Sequence, residues 1–306
     1  MNKEKTLSQY ELMQKNERIR KTITNTIFYT VGAIIAIVFL FPLIYMIVTS
    51  GKSESSYVAA VGTLKLFLPN LKELDYFIKN YATVFTSYSI WKYALNSFFY
   101  AAVVIVLNVL INGLAGYALS KFEFPGKAFF NFIIMFLIVV PVETSLVPLY
   151  TIVINLLGLR GNLAILAVIL PPSISVFNIF LFIQFFSGIP SEYEEAARID
   201  GAGNLRIFFS MILPLSKPIV ATVATFAFIG VWNDYLWPTM ILPAPKDGVW
   251  PLYPIQSALD SITRTEGITT GEVMASLVIT SIPIFIVYVV AQKYIVNGFG
   301  TAGLKL

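Results

Sequence analysis

The chain has no cysteine and no histidine in its 306 residues. Those absences remove the usual zinc ligand sets, a Ser-His dyad, a thiol nucleophile and any disulfide. Charge is scarce as well: Asp, Glu, Lys and Arg make up 12% of the residues, against 57% hydrophobic and 15% aromatic, and the mean hydropathy is +0.76. A soluble domain carries about twice that share of charge. The phosphate-cradling pattern G-x-x-x-x-G-K-[ST] is also missing. Gly51-Lys52-Ser53 imitates its end, but Met46 stands where the first glycine belongs, and Lys121 stands there before Gly126-Lys127. If ATP drives this protein, another subunit binds it. No internal repeat, low-complexity tract or soluble domain is visible.

What is present is a series of long apolar runs. Windows of about 20 apolar residues give six candidate spans, at 25–49, 93–119, 128–150, 162–186, 218–241 and 271–294. At ~1.5 Å of rise per residue each is long enough to cross a bilayer core. The expectation is an all-α polytopic membrane protein with six transmembrane helices. An N-terminal tail (1–24) precedes one membrane domain (25–294), and a short tail (295–306) follows it. The first run is longer than a signal-peptide core and lacks a small-x-small site after it, which reads as an uncleaved span.

Basic residues set the expected orientation. Lys3, Lys5, Lys15, Arg18, Arg20 and Lys21 lie in the tail, and Lys121, Lys127, Arg198, Arg206 and Lys217 lie in the connectors after spans two and four. Those segments are expected to be cytoplasmic, with both termini inside. The net charge of +4 then reports membrane topology and no nucleic-acid partner. Two outer loops, 50–92 and 242–270, are large enough to meet an external partner or to cap the span ends.

Acids inside the runs are the first candidate site. Glu143 lies about 15 residues into the third run and Asp234, after Asn233, about 16 into the fifth, and since both runs leave the cytoplasm both are expected at similar depth toward the outside. An ionised carboxylate at mid-bilayer costs about 3 kcal/mol, so both are expected to face protein or water, at a pathway or gate or against neighbouring amides. Asn96, Asn108 and Asn112 suit interhelical hydrogen bonds, and Pro141, Pro171 and Pro172 kink spans and free carbonyls.

The second candidate is the polar insertion at 187–217. Pro190 stops the preceding helix, Ser191 can cap a new one, and Glu194 three residues later would complete a capping box. That short helix runs to Asp200 with Tyr193, Ala196 and Ala197 on one shallow face, open to another protein's surface. Gly201 can take the left-handed conformation that ends it. Leu213, Pro214 and Pro218 relaunch the chain into the fifth span. The outcome is a rigid elbow between two spans, the alternative being an amphipathic connector lying on lipid headgroups.

Glu195-Ala196-Ala197-Arg198-Ile199-Asp200-Gly201, followed after nine residues by Met211-x-Leu213-Pro214, resembles the E-A-A motif of permease subunits of binding-protein-dependent ABC importers. Met211 replaces the usual isoleucine there, a volume-conserving swap. Pro148-Leu149-Tyr150, Trp232-Asn233-Asp234-Tyr235-Leu236-Trp237-Pro238 and the ending Thr301-Ala302-Gly303 resemble the carbohydrate, maltose-type branch. The resemblance implies a type I importer permease fold in a bacterial cell membrane. It further implies a second permease subunit, two copies of an ATP-binding subunit and an extracytoplasmic sugar-binding protein as partners. The elbow would dock in an ATPase cleft with Glu195 paired to a basic residue there, and the chain itself would need no cofactor. It also implies that the tail from Gly298 to Leu306 reaches between the ATPases and that loop 242–270 enters the binding protein.

Two other classes compete. An ion-coupled secondary transporter would account for the acids but not the elbow, and no inverted repeat supports it. An intramembrane aspartyl enzyme would need Asp234 and a close second carboxylate, for which Glu143 is the only candidate.

Overall fold

A computed structural model describes residues 2–242 and 252–302. Among these residues there is no strand. The helices are α1 (Asn2–Ser50), α2 (Glu54–Ala60), α3 (Leu74–Thr86), α4 (Ile90–Lys121), α5 (Lys127–Ile138), α6 (Leu146–Tyr150), α7 (Ala164–Ile169), α8 (Val176–Ser187), α9 (Glu192–Ile199), α10 (Asn204–Ile207), α11 (Leu213–Leu215), α12 (Lys217–Asn233), α13 (Leu236–Ile241), α14 (Ile255–Thr263) and α15 (Thr270–Ala302). Short 3₁₀ and π turns link several of them.

Three helices are long and apolar enough to cross a membrane unbroken: Asn16–Ser50, Ile90–Lys121 and Thr270–Lys293. The count reaches six if each of three bent pairs is one span, the bends being 104° between Lys127–Ile138 and Val142–Leu156, 43° between Gly161–Ser173 and Val176–Ser187, and 85° between Asn204–Leu215 and Lys217–Asn233. Pro141 stands in the first break and Pro171-Pro172 just before the second, where missing amide donors interrupt the helical ladder. The residue count behind the depth expected for Glu143 does not carry across this break, because ~1.5 Å per residue applies only along a continuous helix. The fifth run is shorter than expected too: α12 ends at Asn233 and the chain turns before α13.

Other boundaries also differ from expectation. The expected tail 1–24 and the first span form one helix of 49 residues. Residues 2–24 contain neither proline nor glycine and are rich in helix-favouring Lys, Glu, Gln, Leu and Arg, so nothing in them stops the helix. Loop 50–92 is largely helical. In loop 242–270, residues 243–251 lie outside the described set, as do 303–306 in the C-terminal tail.

Two compact units divide the chain, residues 1–80 with 269–278 and residues 81–268 with 279–306. In the first, α2 is capped by the Ser53 hydroxyl, which accepts from the Ser56 amide at 3.2 Å. Glu73 accepts from the Ser56 hydroxyl at 2.6 Å and the Ser53 hydroxyl at 2.8 Å. Lys52, only 2% exposed, donates to the carbonyls of Lys65 and Leu66. Thr269 and Glu272 form a reciprocal capping box at the start of α15, the Thr269 amide donating to Glu272 and the Glu272 amide to the Thr269 hydroxyl. α1 exposes a long apolar surface that includes Phe28, Tyr29 and Phe39, each more than 70% accessible, as suits a helix facing lipid or another apolar helix.

The hydroxyl bonds from Ser56 and Ser53 hold the Glu73 carboxyl below the usual glutamate range. Because its folded pKa is depressed, Glu73's hold on residues 53–73 is full above the unfolded value and is lost as pH falls through the lower, folded one. The protection factors of the Ser53 and Ser56 amides, exchange rates relative to the unfolded chain at the same pH, should therefore fall over that acidic window, and Glu73→Gln should abolish that change in protection. An identical pH profile in the variant would show that Glu73 does not carry it.

The second unit is built around α4, packed between α8 and α12. Gly116 lets α4 and α8 touch, since a Cβ there would sit 2.5 Å from the Phe182 Cβ and 3.2 Å from the Ile183 backbone nitrogen. Where the end of α4 meets α8 and the 187–217 segment, Tyr117, Phe182, Phe186, Phe208, Ile207 and Ile212 form a buried core. The Tyr117 and Phe208 rings are 5.4 Å apart, and those of Phe186 and Phe208 meet edge to face at 6.4 Å. On the other side Trp232 of α12 is fully buried and donates to the Thr280 carbonyl at 3.0 Å.

Candidate functional site

Two places collect the polar residues singled out in the sequence, and both lie in the second unit. The first is the elbow. Glu192 to Ile199 form α9, and the Gly201 backbone is left-handed at φ +78°, as its lack of a Cβ permits. The Ala202 amide then reaches the Ala197 carbonyl at 3.0 Å and closes the helix end. A π turn, Phe208–Ile212, and α11 lead to Ser216, where the chain bends into α12. Leu213 and Met211 pack on the aromatic core, whereas Pro214 is exposed.

Glu194 corrects the expected capping box. Ser191 has helical backbone angles and its side chain makes no capping bond. The Glu194 carboxylate instead turns inward, 5% exposed, to lie 3.4 Å from the Lys121 ammonium and to accept from the Tyr117 hydroxyl at 3.2 Å. A cation and a phenol at the end of α4 outcompete the local amide because they compensate a buried charge more fully. No sequence spacing announces this pair, since Lys121 and Glu194 are far apart along the chain and each alone reads as a surface residue.

The expected face of Tyr193, Ala196 and Ala197 is divided. Ala197 packs on the core at 8% exposure together with Glu194, while Tyr193 at 49% stays accessible, as does Ala196. Ile199 is 87% exposed, and Glu195, Arg198 and Asp200 also face outward. The outward face thus combines a carboxylate with an alanine, an aromatic ring and an isoleucine, a mixed surface of the sort that another protein covers.

The second place is a cavity of about 700 Å³ lined by α4, α12 and the helix breaks. Glu143, in the turn after the 104° bend, lines it with Asn233 and Asp234 at the end of α12. Asp234 accepts from the Trp237 amide at 3.1 Å, and the Trp237 indole donates to the Ala167 carbonyl at 3.0 Å. The acid therefore both opens α13 and lines the cavity. Asn233 is exposed and its amide returns to the Ile229 carbonyl of its own helix at 3.0 Å.

Asparagines of α4 hold the cavity wall. Asn108 donates to the Pro172 carbonyl at 3.3 Å and accepts from Asn178 at 2.8 Å. Asn112 donates to the Ser173 carbonyl at 3.2 Å and accepts from the Ser175 amide at 3.1 Å. These buried side chains satisfy backbone groups released by Pro171-Pro172. The cavity is thus a pre-formed, mostly apolar recess with a few placed polar groups, the usual build of a site for a small polar molecule.

Comparisons with known proteins agree with this architecture. The model of the family described as binding-protein-dependent transport system inner membrane component matches residues 112–300. An arabinooligosaccharides transport system permease protein of Halalkalibacterium halodurans is 31% identical over 278 residues, 90% of this chain and 95% of that one. A diacetylchitobiose uptake system permease protein of Streptomyces coelicolor is 32% identical over 264 residues, covering 85% and 82%. An sn-glycerol-3-phosphate transport system permease protein of Yersinia pestis is 35% identical over 206 residues, covering 67% and 70%. Among solved structures, a chain from the crystal structure of a bacterial ABC transporter that imports the acidic polysaccharide alginate superposes with a TM-score of 0.75 at 28% identity, covering 89% of this chain and 96% of that one. The family match spans more than half of the chain, including the elbow and the cavity-lining turns, and two relatives align over most of its length: this chain is a membrane-spanning permease of the binding-protein-dependent transport system inner membrane component family.

Proposed function

We propose that the chain is one permease subunit of an ATP-driven importer of sugars, oligosaccharides in particular, in a bacterial cell membrane. It pairs with a second permease, two copies of an ATP-binding subunit and an extracytoplasmic sugar-binding protein, and both of its termini are cytoplasmic. Family membership supports the transport role, and relatives that move arabinooligosaccharides and diacetylchitobiose support the substrate class. The observation that carries the coupling step is the elbow: a short helix whose inner side is fixed in an aromatic core while Tyr193, Glu195, Ala196 and Ile199 stay exposed.

An ATPase surface docks on that outward face, with a basic group opposite Glu195. Closure of two ATPases around nucleotide moves the elbow, and the elbow moves α8 and α12, to which it is continuous. The cavity bearing Glu143, Asn233 and Asp234 then opens to one side or the other. ATP is bound by the partner subunit, and this chain supplies no covalent chemistry.

The test is the assembled complex with Glu195→Lys or Gly201→Val. The first reverses the docking charge. The second places a β-branched residue at φ +78°, a strain of about 1–3 kcal/mol, and misaims the helix end. Both should leave the protein in membranes while lowering binding-protein-stimulated ATP hydrolysis at least about tenfold, the size of a lost charge-assisted contact. Normal stimulation in both variants would remove the elbow from the mechanism, and transport with no ATPase present would return the chain to ion-coupled transport.

A further inference from the structure

α9 is eight residues long, with Gly188 to Pro190 before it and Gly201 to Gly203 after it. Along the chain it is joined to α8 and to the α10–α12 segment, never to α4. Yet its only buried charge is aimed at α4. Side-chain exposure is 9% for Lys121 and 7% for Glu194, and the ammonium lies 3.4 Å from Glu194 Oε1. The Tyr117 hydroxyl donates to Oε2, and Lys121 also donates to the Ile189 carbonyl in the link leading into α9. The last turn of α4 therefore grips both the first turn of α9 and the segment before it.

Stability alone does not account for this choice of residues. Two charges taken out of water lose hydration that their attraction only partly returns, and a well-packed apolar pair commonly serves a fold as well or better. An ion pair does differ in reach. Coulomb attraction decays as the inverse of distance, so the pair keeps pulling while α9 tilts, where a van der Waals contact would let go.

What α4 holds elsewhere gives the tie its consequence. Midway along it, Asn108 and Asn112 hold residues 172–175 beside the cavity. Near its start, Tyr100 donates to the Leu252 carbonyl at 2.7 Å and the Ser97 hydroxyl accepts from the Ile255 amide at 2.8 Å. α4 contains no proline, so a displacement applied at Lys121 travels along one continuous rod past the cavity.

We propose that Glu194, Lys121 and Tyr117 form a positioning device for transport, an ionic tie through which movement of α9 passes directly to α4 and from there to the cavity wall at 171–175. It rests on the reading that an ATPase docks on α9, and it assigns the neighbouring acids different work: Glu195 meets the ATPase, while Glu194 conveys the movement.

The experiment uses the complete complex in proteoliposomes and reads two quantities: ATPase retained on purification, and solute moved per ATP hydrolysed. Lys121→Met with Glu194→Gln removes both charges together and leaves no unpaired ion. ATPase should stay bound while solute per ATP falls about tenfold, within the usual range of coupling between sites. Lys121→Arg keeps the charge and should stay within about twofold of the unmodified complex. An unchanged ratio in the neutral pair overturns the proposal, and so does loss of ATPase binding in that variant, because the tie would then only hold α9 in shape. Should the neutral pair not reach the membrane as a folded chain, Tyr117→Phe decides, a lower ratio supporting the tie and an equal ratio overturning it. If the unmodified chain retains no ATPase, the functional reading itself is wrong, a result distinguishable from all of these.

Discussion

Gly116→Leu should abolish recovery of the folded permease from membranes. Even a single Cβ at this position would lie 2.5 Å from the Phe182 Cβ, 3.2 Å from the Ile183 nitrogen and 3.3 Å from the Ile179 carbonyl oxygen. Two of those neighbours are backbone atoms, so the clash is relieved only if α4 and α8 separate. Removing a helical glycine normally favours the helix by about 0.5–1 kcal/mol, whereas overpacking a filled contact costs about 1–3 kcal/mol and more for a large side chain. The second effect wins here. At Gly230 of α12 a Cβ would meet open space, with nothing outside the adjoining stretch of its own helix within 4 Å, so Gly230→Ala should keep or raise the melting temperature. A Gly116→Leu protein that purified and melted like the unmodified one would mean that α4 and α8 are not in this contact.

Asp234→Asn should lower uptake by the assembled importer about tenfold, because a hydrogen bond to a charged group contributes about 1.5–3 kcal/mol where a solute meets it. Asparagine keeps an oxygen for the Trp237 amide, so the turn into α13 survives and the charge alone is lost. Asp234→Ala also deletes the acceptor and should cost about 1 kcal/mol of stability in addition. Glu143→Gln, also on the cavity lining, should act in the same direction on uptake. The measurements are solute flux into proteoliposomes and thermal melting of the same preparations. If Asp234→Asn transports normally and only Asp234→Ala is impaired, the acid serves the turn and not the solute.

Much of this protein is legible from residue types alone. Composition suffices for the membrane class, and the spacing of the apolar runs marks helices that carry those spans. Gly201 is legible because a left-handed residue at a helix end strongly favours glycine, and the turn adopts φ +78°. Pro171-Pro172 likewise marks a real break, since two residues without amide donors cannot continue a hydrogen-bond ladder.

Where structure and expectation part, the cause is shared. Ser191 with Glu194 has the spacing of a capping box, yet the box forms at Thr269 and Glu272 instead, because Glu194 has a better partner far along the chain. Tyr193, Ala196 and Ala197 share a face on a helical wheel, but the core touches that wheel from an angle no wheel encodes, and only Ala197 is covered. Counting residues along the third run assigns Glu143 a depth, and a 104° bend voids the count.

By itself, then, the amino-acid sequence determined whatever depends on neighbours within a few residues and on bulk apolar content: a helical, membrane-spanning chain with a polar elbow, a glycine at its helix end and proline breaks. Only the tertiary structure decided which acid is buried against Lys121, which face of α9 remains open, and that Glu143 and Asp234 border one cavity. Those outcomes depend on free energies between groups tens of residues apart, where a buried charge or a released carbonyl settles on the partner that best replaces water.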